Sequence, residues 1–209
     1  MIAVISGDLI KSQHIPKQQY DSMLYQLDQS LRFVANRYDG QFSVFRGDAL
    51  QLQLNQPRVI FRAAILVYLQ LKSANYKVRQ SLAIGHVDNL RADIKTATGA
   101  AFTLSGRGLD NMTQQHLILH IEGQTIADGF ALTIELIDVL LDKITPKQAN
   151  ALFYYLTLAD NNHATLAKEL KTSRENVTKL LNLAHYQVIE RFLNYSESAI
   201  ATQLAGAPQ

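Results

Sequence analysis

The hydrophobic pattern of residues 1–87 switches repeatedly between two periods, and the order of those switches restricts the fold more than any other feature of the chain. Ile2 to Ser6 is a short apolar, β-branched run that stops at Gly7-Asp8, the pattern of a buried strand ending in a turn. From Pro16, the residues Tyr20, Leu24, Leu27, Leu31, Val34 and Tyr38 recur at helical spacing, and Asp39-Gly40 closes that helix. Phe42 and Val44, then Leu50, Leu52 and Leu54, alternate on either side of Arg46-Gly47-Asp48, which predicts a β-hairpin with a glycine at its turn. Pro57 opens a second helix to about Asn75, with Phe61, Ile65 and Tyr68 on one face. Val78 to Val87 alternates as a fourth strand. The order is β-α-β-β-α-β, the split βαβ or ferredoxin-like arrangement of an α+β domain.

A polar loop follows, then a helix near Phe102 to Met112, a strand over Leu117 to Ile121 and a helix over Ile126 to Leu141. From Ile144 the pattern reads as helical throughout. Thr145-Pro146 is an N-cap followed by a first-turn proline, opening a helix through Leu158. Ala164 to Leu170 predicts a short helix, and Ser173 can cap another running to about Tyr195. The tail from Gln203 to Gln209 reads as loose. The economical division is two domains, 1–142 and 143–209.

Composition narrows the chemistry. Hydrophobic residues make up 47% and charged residues 18% of the 209, a globular balance. The chain has no cysteine, so disulfide scaffolds, thiolate zinc sites and cysteine nucleophiles are excluded. Met1 leads directly into Ile2-Ala3-Val4-Ile5 without a basic segment or cleavage site, and the apolar run Ala63 to Leu71 is far short of a membrane span. The expectation is a cytoplasmic protein with no membrane partner. Residues 1–142 carry 13 basic and 13 acidic side chains, residues 143–209 carry 7 and 5, so the formal excess of +2 sits in the last third.

In the predicted sheet the first and third strands are neighbours. Asp8 just past the first and Asp48 at the start of the third therefore meet at one edge. Two such carboxylates could share a hard divalent cation that bridges to substrate phosphates, although Gly-Asp is also ordinary turn chemistry. Lys11 and Arg46 flank them as candidate phosphate contacts. His116 and His120 lie four apart in a strand-like run, too far from each other for a metal pair.

The blocks Ile5-Ser6-Gly7-Asp8-Leu9-Ile10-Lys11-Ser12, Phe45-Arg46-Gly47-Asp48-Ala49-Leu50 and Gly99-Ala100-Ala101-Phe102-Thr103-Leu104-Ser105-Gly106-Arg107 resemble the SatD-like family, which is similar in turn to the catalytic palm of class III nucleotide cyclases. The resemblance implies that Asp8 and Asp48 match two metal-binding aspartates for Mg²⁺ or Mn²⁺, with a nucleotide as ligand. It implies that Arg107 matches a transition-state arginine, while Thr103 stands where those enzymes have asparagine. A hydroxyl in place of an amide favours nucleotide or phosphate binding over efficient cyclisation. The resemblance also implies a head-to-tail homodimer.

In the last third, Leu166, Ala167, Leu170, Val177, Leu180, Leu181 and Ala184 have the spacing of two helices packed across a tight turn. This segment resembles the region-four helix-turn-helix of sigma factors. Arg174, Asn176 and Lys179 would then reach base edges and phosphates of double-stranded DNA, with Lys168 and Lys171 on the approach. An ordinary helical hairpin with a solvated charged face has the same pattern. The first expectation is a transcriptional regulator whose cyclase-like domain senses a nucleotide or phosphate. The alternative is a metal-dependent nucleotidyl cyclase or related phosphoryl-transfer enzyme; a third reading is an interaction protein that kept the palm fold without its ligand.

Overall fold

The computed structural model describes residues 1–89 and 94–205. Its sheet is built from β1 (Ile2–Leu9), β2 (Gly40–Phe45), β3 (Ala49–Leu54), β4 (Val78–Gly85) and β5 (Leu117–Ile121), in the order β2-β3-β1-β4-β5. The pairings of β1 with β3, β1 with β4 and β2 with β3 are antiparallel, and β5 joins parallel to β4. The first four strands, with α1 (Lys17–Arg37) and α2 (Ile60–Ser73) between them, form the ferredoxin-like order expected from the sequence.

The two faces of the sheet differ in chemistry because alternate residues of each strand point to opposite sides. On one face Ala3, Ile5 and Leu9 of β1 join Leu50, Leu52 and Leu54 of β3 and Leu82 and Ile84 of β4 in the main core, beneath α1 and α2. On the other face Val4 packs on Ala101 and Phe102 of α3 (Ala100–Asn111). There Ser6 Oγ lies 2.9 Å from Ser105 Oγ, and the crossing is close enough that a Cβ on Gly108 would run into Ser81 Oγ and His120 Nε2. Gly108 is therefore required by contact rather than by backbone angle.

Local chemistry explains most element boundaries. The β2–β3 hairpin turns through Arg46 (φ 54°) and Gly47 (φ 84°), two successive residues at positive φ, as a tight hairpin requires. Tyr20 was expected on the buried face of α1 but is 37% exposed, because its hydroxyl reaches across to the Gly47 turn. The second helix begins as a 3₁₀ turn at Pro57–Val59 before α2. Part of the polar loop expected after β4, residues 90–93, lies outside the described residues.

After β5 the chain is helical: α4 (Asp128–Lys143), α5 (Pro146–Thr157), α6 (His163–Glu169), α7 (Arg174–Leu183) and α8 (Tyr186–Ala205). Thr145 closes a full capping box on α5, its hydroxyl accepting from Gln148 N–H while the Gln148 side chain accepts from Thr145 N–H. The single helix expected from Ser173 to about Tyr195 is two, because the chain breaks at His185 (φ 52°) in the left-handed region. The tail expected to be loose is helical through Gln203–Ala205, and residues 206–209 lie outside the described residues.

Helix α2 is buried nearly all round rather than on the one face its sequence suggested, since α5 packs along its back. The core runs without a break from the sheet into the later helices. Phe61 of α2 sits edge-on to Phe192 of α8 at 5.1 Å and to Phe130 of α4 at 5.8 Å, and its full burial is worth about 2–3 kcal/mol. Arg62 Nε donates to Glu197 at 2.6 Å, and Tyr68 Oη donates to the Leu141 carbonyl at 2.9 Å. Helices on both sides of residue 143 thus share one interior. Among the described residues no helix is long and apolar enough to cross a membrane.

The interface between α3 and the sheet holds an imbalance. Ser81 Oγ and His120 Nε2 are buried without a hydrogen-bond partner among the described residues, and burial pushes the His120 imidazole below its ordinary 6.5. As pH falls through 6.5 the unfolded chain takes the proton first, so stability present above that value is lost toward the lower folded value. Urea unfolding at about pH 7.5 and about pH 5.5 should show wild type losing up to about 1 kcal/mol more than His120→Gln, the difference isolating this group from the other histidines.

Candidate functional site

Asp8 is the second-last residue of β1, and the antiparallel register sets it directly opposite Arg79 of β4 on one side and Ala49 of β3 on the other. Residues directly opposite share a face, so the Asp8 carboxylate and the Arg79 guanidinium meet across the sheet. Arg79 Nε donates to Asp8 Oδ1 at 2.7 Å and Nη2 donates to Oδ2 at 2.8 Å, a two-pronged pair that occupies both carboxylate oxygens. The third nitrogen, Nη1, donates to the Met112 carbonyl at the end of α3, 3.1 Å away. Bonding to Asp8 raises the pKa of the guanidinium still further above its ordinary value. The pair is 25% exposed at Asp8 and 31% at Arg79, so it is wetted but not free in solvent.

Asp48 reaches the same edge from the hairpin turn. Its backbone carbonyl accepts from Leu9 N–H at 3.1 Å, which stitches the turn to the end of β1. Its carboxylate accepts from the Ser12 hydroxyl at 2.5 Å, and Lys11 beside Ser12 holds a left-handed backbone (φ 59°) that turns the chain back over this edge. Asp8, Lys11, Ser12, Asp48, Arg79 and His116 line a cavity of about 450 Å³, within the usual range for a small-molecule site. His116 is anchored at its far rim: its N–H donates to Asp138 Oδ2 at 2.9 Å, and its Nδ1 lies 3.3 Å from Asp138 Oδ1.

The structure therefore brings Asp8, Asp48 and Lys11 together as the sequence suggested. Arg46 stays in the exposed turn, outside the residues lining the cavity. Thr103 and Arg107 stand one turn apart on the exposed side of α3, also outside that lining, and the Thr103 hydroxyl donates to its own helix at the Gly99 carbonyl, 3.1 Å. Arg79, Ser12 and His116 were missed. Arg79 could have been found from one signal: an arginine near the start of the apolar alternation Val78 to Ile84, on the strand that the predicted topology places beside Asp8.

The donor set does not fit a divalent ion. A hard cation takes carboxylate oxygens, and both oxygens of Asp8 already accept from a guanidinium. Among the described residues no group of three or more histidine, cysteine or acidic side chains converges to hold a metal. His116 and His120 do not form a pair: the first faces Asp138 at the cavity rim and the second is half-buried, its Nε2 turned toward α3.

The helix pair α6–α7 presents a second set of polar residues. Leu166, Ala167, Val177 and Leu181 are buried between the helices. The turn passes through Lys171 (φ 50°), and Ser173 caps α7 by accepting from Asn176 N–H at 3.1 Å. Lys168, Lys171, Arg174, Asn176 and Lys179 are all exposed, and the Asn176 side chain donates to Thr172 Oγ1 at 2.9 Å.

No family model matches the chain, and no curated protein matches it. Among solved structures it is similar to a bacterial light-regulated adenylyl cyclase at 15% identity and a TM-score of 0.46, over 56% of this chain and 74% of that one. A second structure of a bacterial light-regulated adenylyl cyclase matches at 15% identity and a TM-score of 0.45, over 56% of this chain and 42% of that one. The guanylyl cyclase Cya2 matches at 15% identity and 0.46, over 56% and 73%.

The ion pair sets a measurable stability difference between the two carboxylates. Asp8→Ala leaves a half-buried guanidinium without its partner and should cost about 1–2 kcal/mol in urea unfolding. Asp48→Ala gives up one hydroxyl donor at the rim and should cost about half of that or less. Equal losses would show that the Asp8–Arg79 pair does not anchor this edge.

Proposed function

We propose that the cleft between β1, the β2–β3 turn and β4 binds the phosphates of a nucleotide, and that phosphoryl transfer on that nucleotide is the reaction of this cyclase-like domain. The observation that carries the reading is the convergence of Asp8, Asp48, Lys11 and Arg79 on one cavity at the sheet edge. Lys11 supplies the positive charge for phosphate oxygens, while the Arg79 fork stays on Asp8 and leaves only its outer Nη hydrogens to reach a ligand. The Asp8 carboxylate keeps Arg79 oriented at the edge of the cavity. Thr103 and Arg107 do not line this cavity, so any part they take in its chemistry would need a second copy of the chain.

Titrating the full chain with ATP, GTP, CTP and UTP, followed by mass spectrometry of the products with and without Mn²⁺, tests this. At least one nucleotide should bind, Lys11→Ala should weaken it about tenfold, and any cyclic or pyrophosphate product should vanish in Asp8→Ala. Binding without product would leave a sensor; no binding of any of the four would remove the reading.

A second reading, DNA contact, is favoured by the exposure of Lys168, Lys171, Arg174, Asn176 and Lys179 around one tight inter-helix turn. Two of these, Arg174 and Asn176, lie in the first turn of α7, where a recognition helix meets base edges. Duplex affinity measured against salt should fall steeply, and Lys168→Ala with Lys171→Ala should lower the logarithmic slope by about 2. A chain with no salt-dependent duplex affinity would leave this surface a solvated hairpin.

A further inference from the structure

We propose that Arg79 is the resident cation of the carboxylate pair, holding the place a divalent ion would take, so that the free protein binds no divalent metal at Asp8 and Asp48. The inference goes beyond nucleotide binding and does not depend on which ligand the cleft accepts.

Three features carry it. The guanidinium fork takes both Asp8 oxygens at 2.7 and 2.8 Å, so a divalent ion would have to compete with a resident cation at each of them. The same guanidinium is tied to the Met112 carbonyl at 3.1 Å, so it is held from two directions rather than swinging freely. Its seat is set by register, because Asp8 and Arg79 are opposite residues of adjacent central strands. Charge points the same way. Asp8 and Asp48 are balanced by Arg79 and Lys11 on the same cavity, which leaves no net negative charge to attract a divalent ion. Removing the guanidinium returns an unbalanced negative charge and frees two oxygens beside Asp48, the ligand type that hard cations take.

The remaining donors at the edge do not substitute for Asp8. Asp48 accepts from Ser12, and His116 on the far rim is engaged with Asp138. The cation preference of the cleft therefore rests on Arg79 rather than on the carboxylates themselves.

The test is Mn²⁺ titration of the full chain without nucleotide, with free Mn²⁺ read by electron paramagnetic resonance. Wild type should show no saturable binding below about millimolar Mn²⁺. Arg79→Gln, which keeps hydrogen-bonding capacity but not charge, should bind at least about tenfold more tightly, and adding Asp8→Asn to it should abolish the gain. Arg79→Lys, which keeps the charge without the fork, should fall between. Circular dichroism checks that each variant folds. Saturable micromolar binding by wild type would overturn the proposal whether or not the variants fold, as would an Arg79→Gln protein that folds and gains no Mn²⁺ affinity. Neither result depends on nucleotide binding, so failure here and failure of the proposed function are read separately.

Discussion

Everything at the candidate site hangs on the position of β1 between β3 and β4. Hydrogen-bonded along both edges, this strand has no freedom to slip, and a slip of one residue would turn its whole side-chain set over. That register puts Ala3, Ile5 and Leu9 into the main core and Val4, Ser6 and Asp8 on the face toward α3. Burial of the first set is what keeps the second set where it is. The Asp8–Arg79 pair is thus held in place by apolar packing on the opposite side of the same strands rather than by its own strength.

The two faces of the sheet divide labour. The α1–α2 face is apolar, continuous with α4, α5 and α8, and supplies most of the buried surface. The α3 face carries serines, a histidine and a glycine where a tighter apolar seal would be expected, and at its edge it opens into the cleft. A face that is less well sealed is also the one that can hold polar ligands, since charged groups keep their solvation there. Ser81 Oγ and His120 Nε2, without a hydrogen-bond partner among the described residues, mark the same boundary between packing and chemistry.

The later helices are not an appendage to this arrangement. Phe192, Tyr68, Arg62 and Glu197 join α2 to α4 and α8, so that the helix closing the sheet domain is also the central helix of the whole chain. The exposed basic set on α6 and α7 stands on this shared core. Any coupling between a ligand in the cleft and that surface would have to travel through α2 and its neighbours, and requires two packings of the shared core with different affinities for the ligand.

Much of this was legible in the chain itself. The β-α-β-β-α-β order, the hairpin at Arg46-Gly47-Asp48, the capping box at Thr145 and the meeting of Asp8 with Asp48 follow from hydrophobic period, turn residues and strand order, all of which are local or nearly so. Other features were not legible. The break at His185 has no glycine or proline to announce it, and α2 is buried all round only because α5, from far along the chain, lies on its back. Arg79 reads locally as one charge in an apolar strand, and it becomes the partner of Asp8 only once two strands 71 residues apart are in register. Periodicity determines which face of an element is apolar; which side chain stands opposite which is decided by pairing and packing between distant segments, and the chemistry of the cleft belongs to that second class.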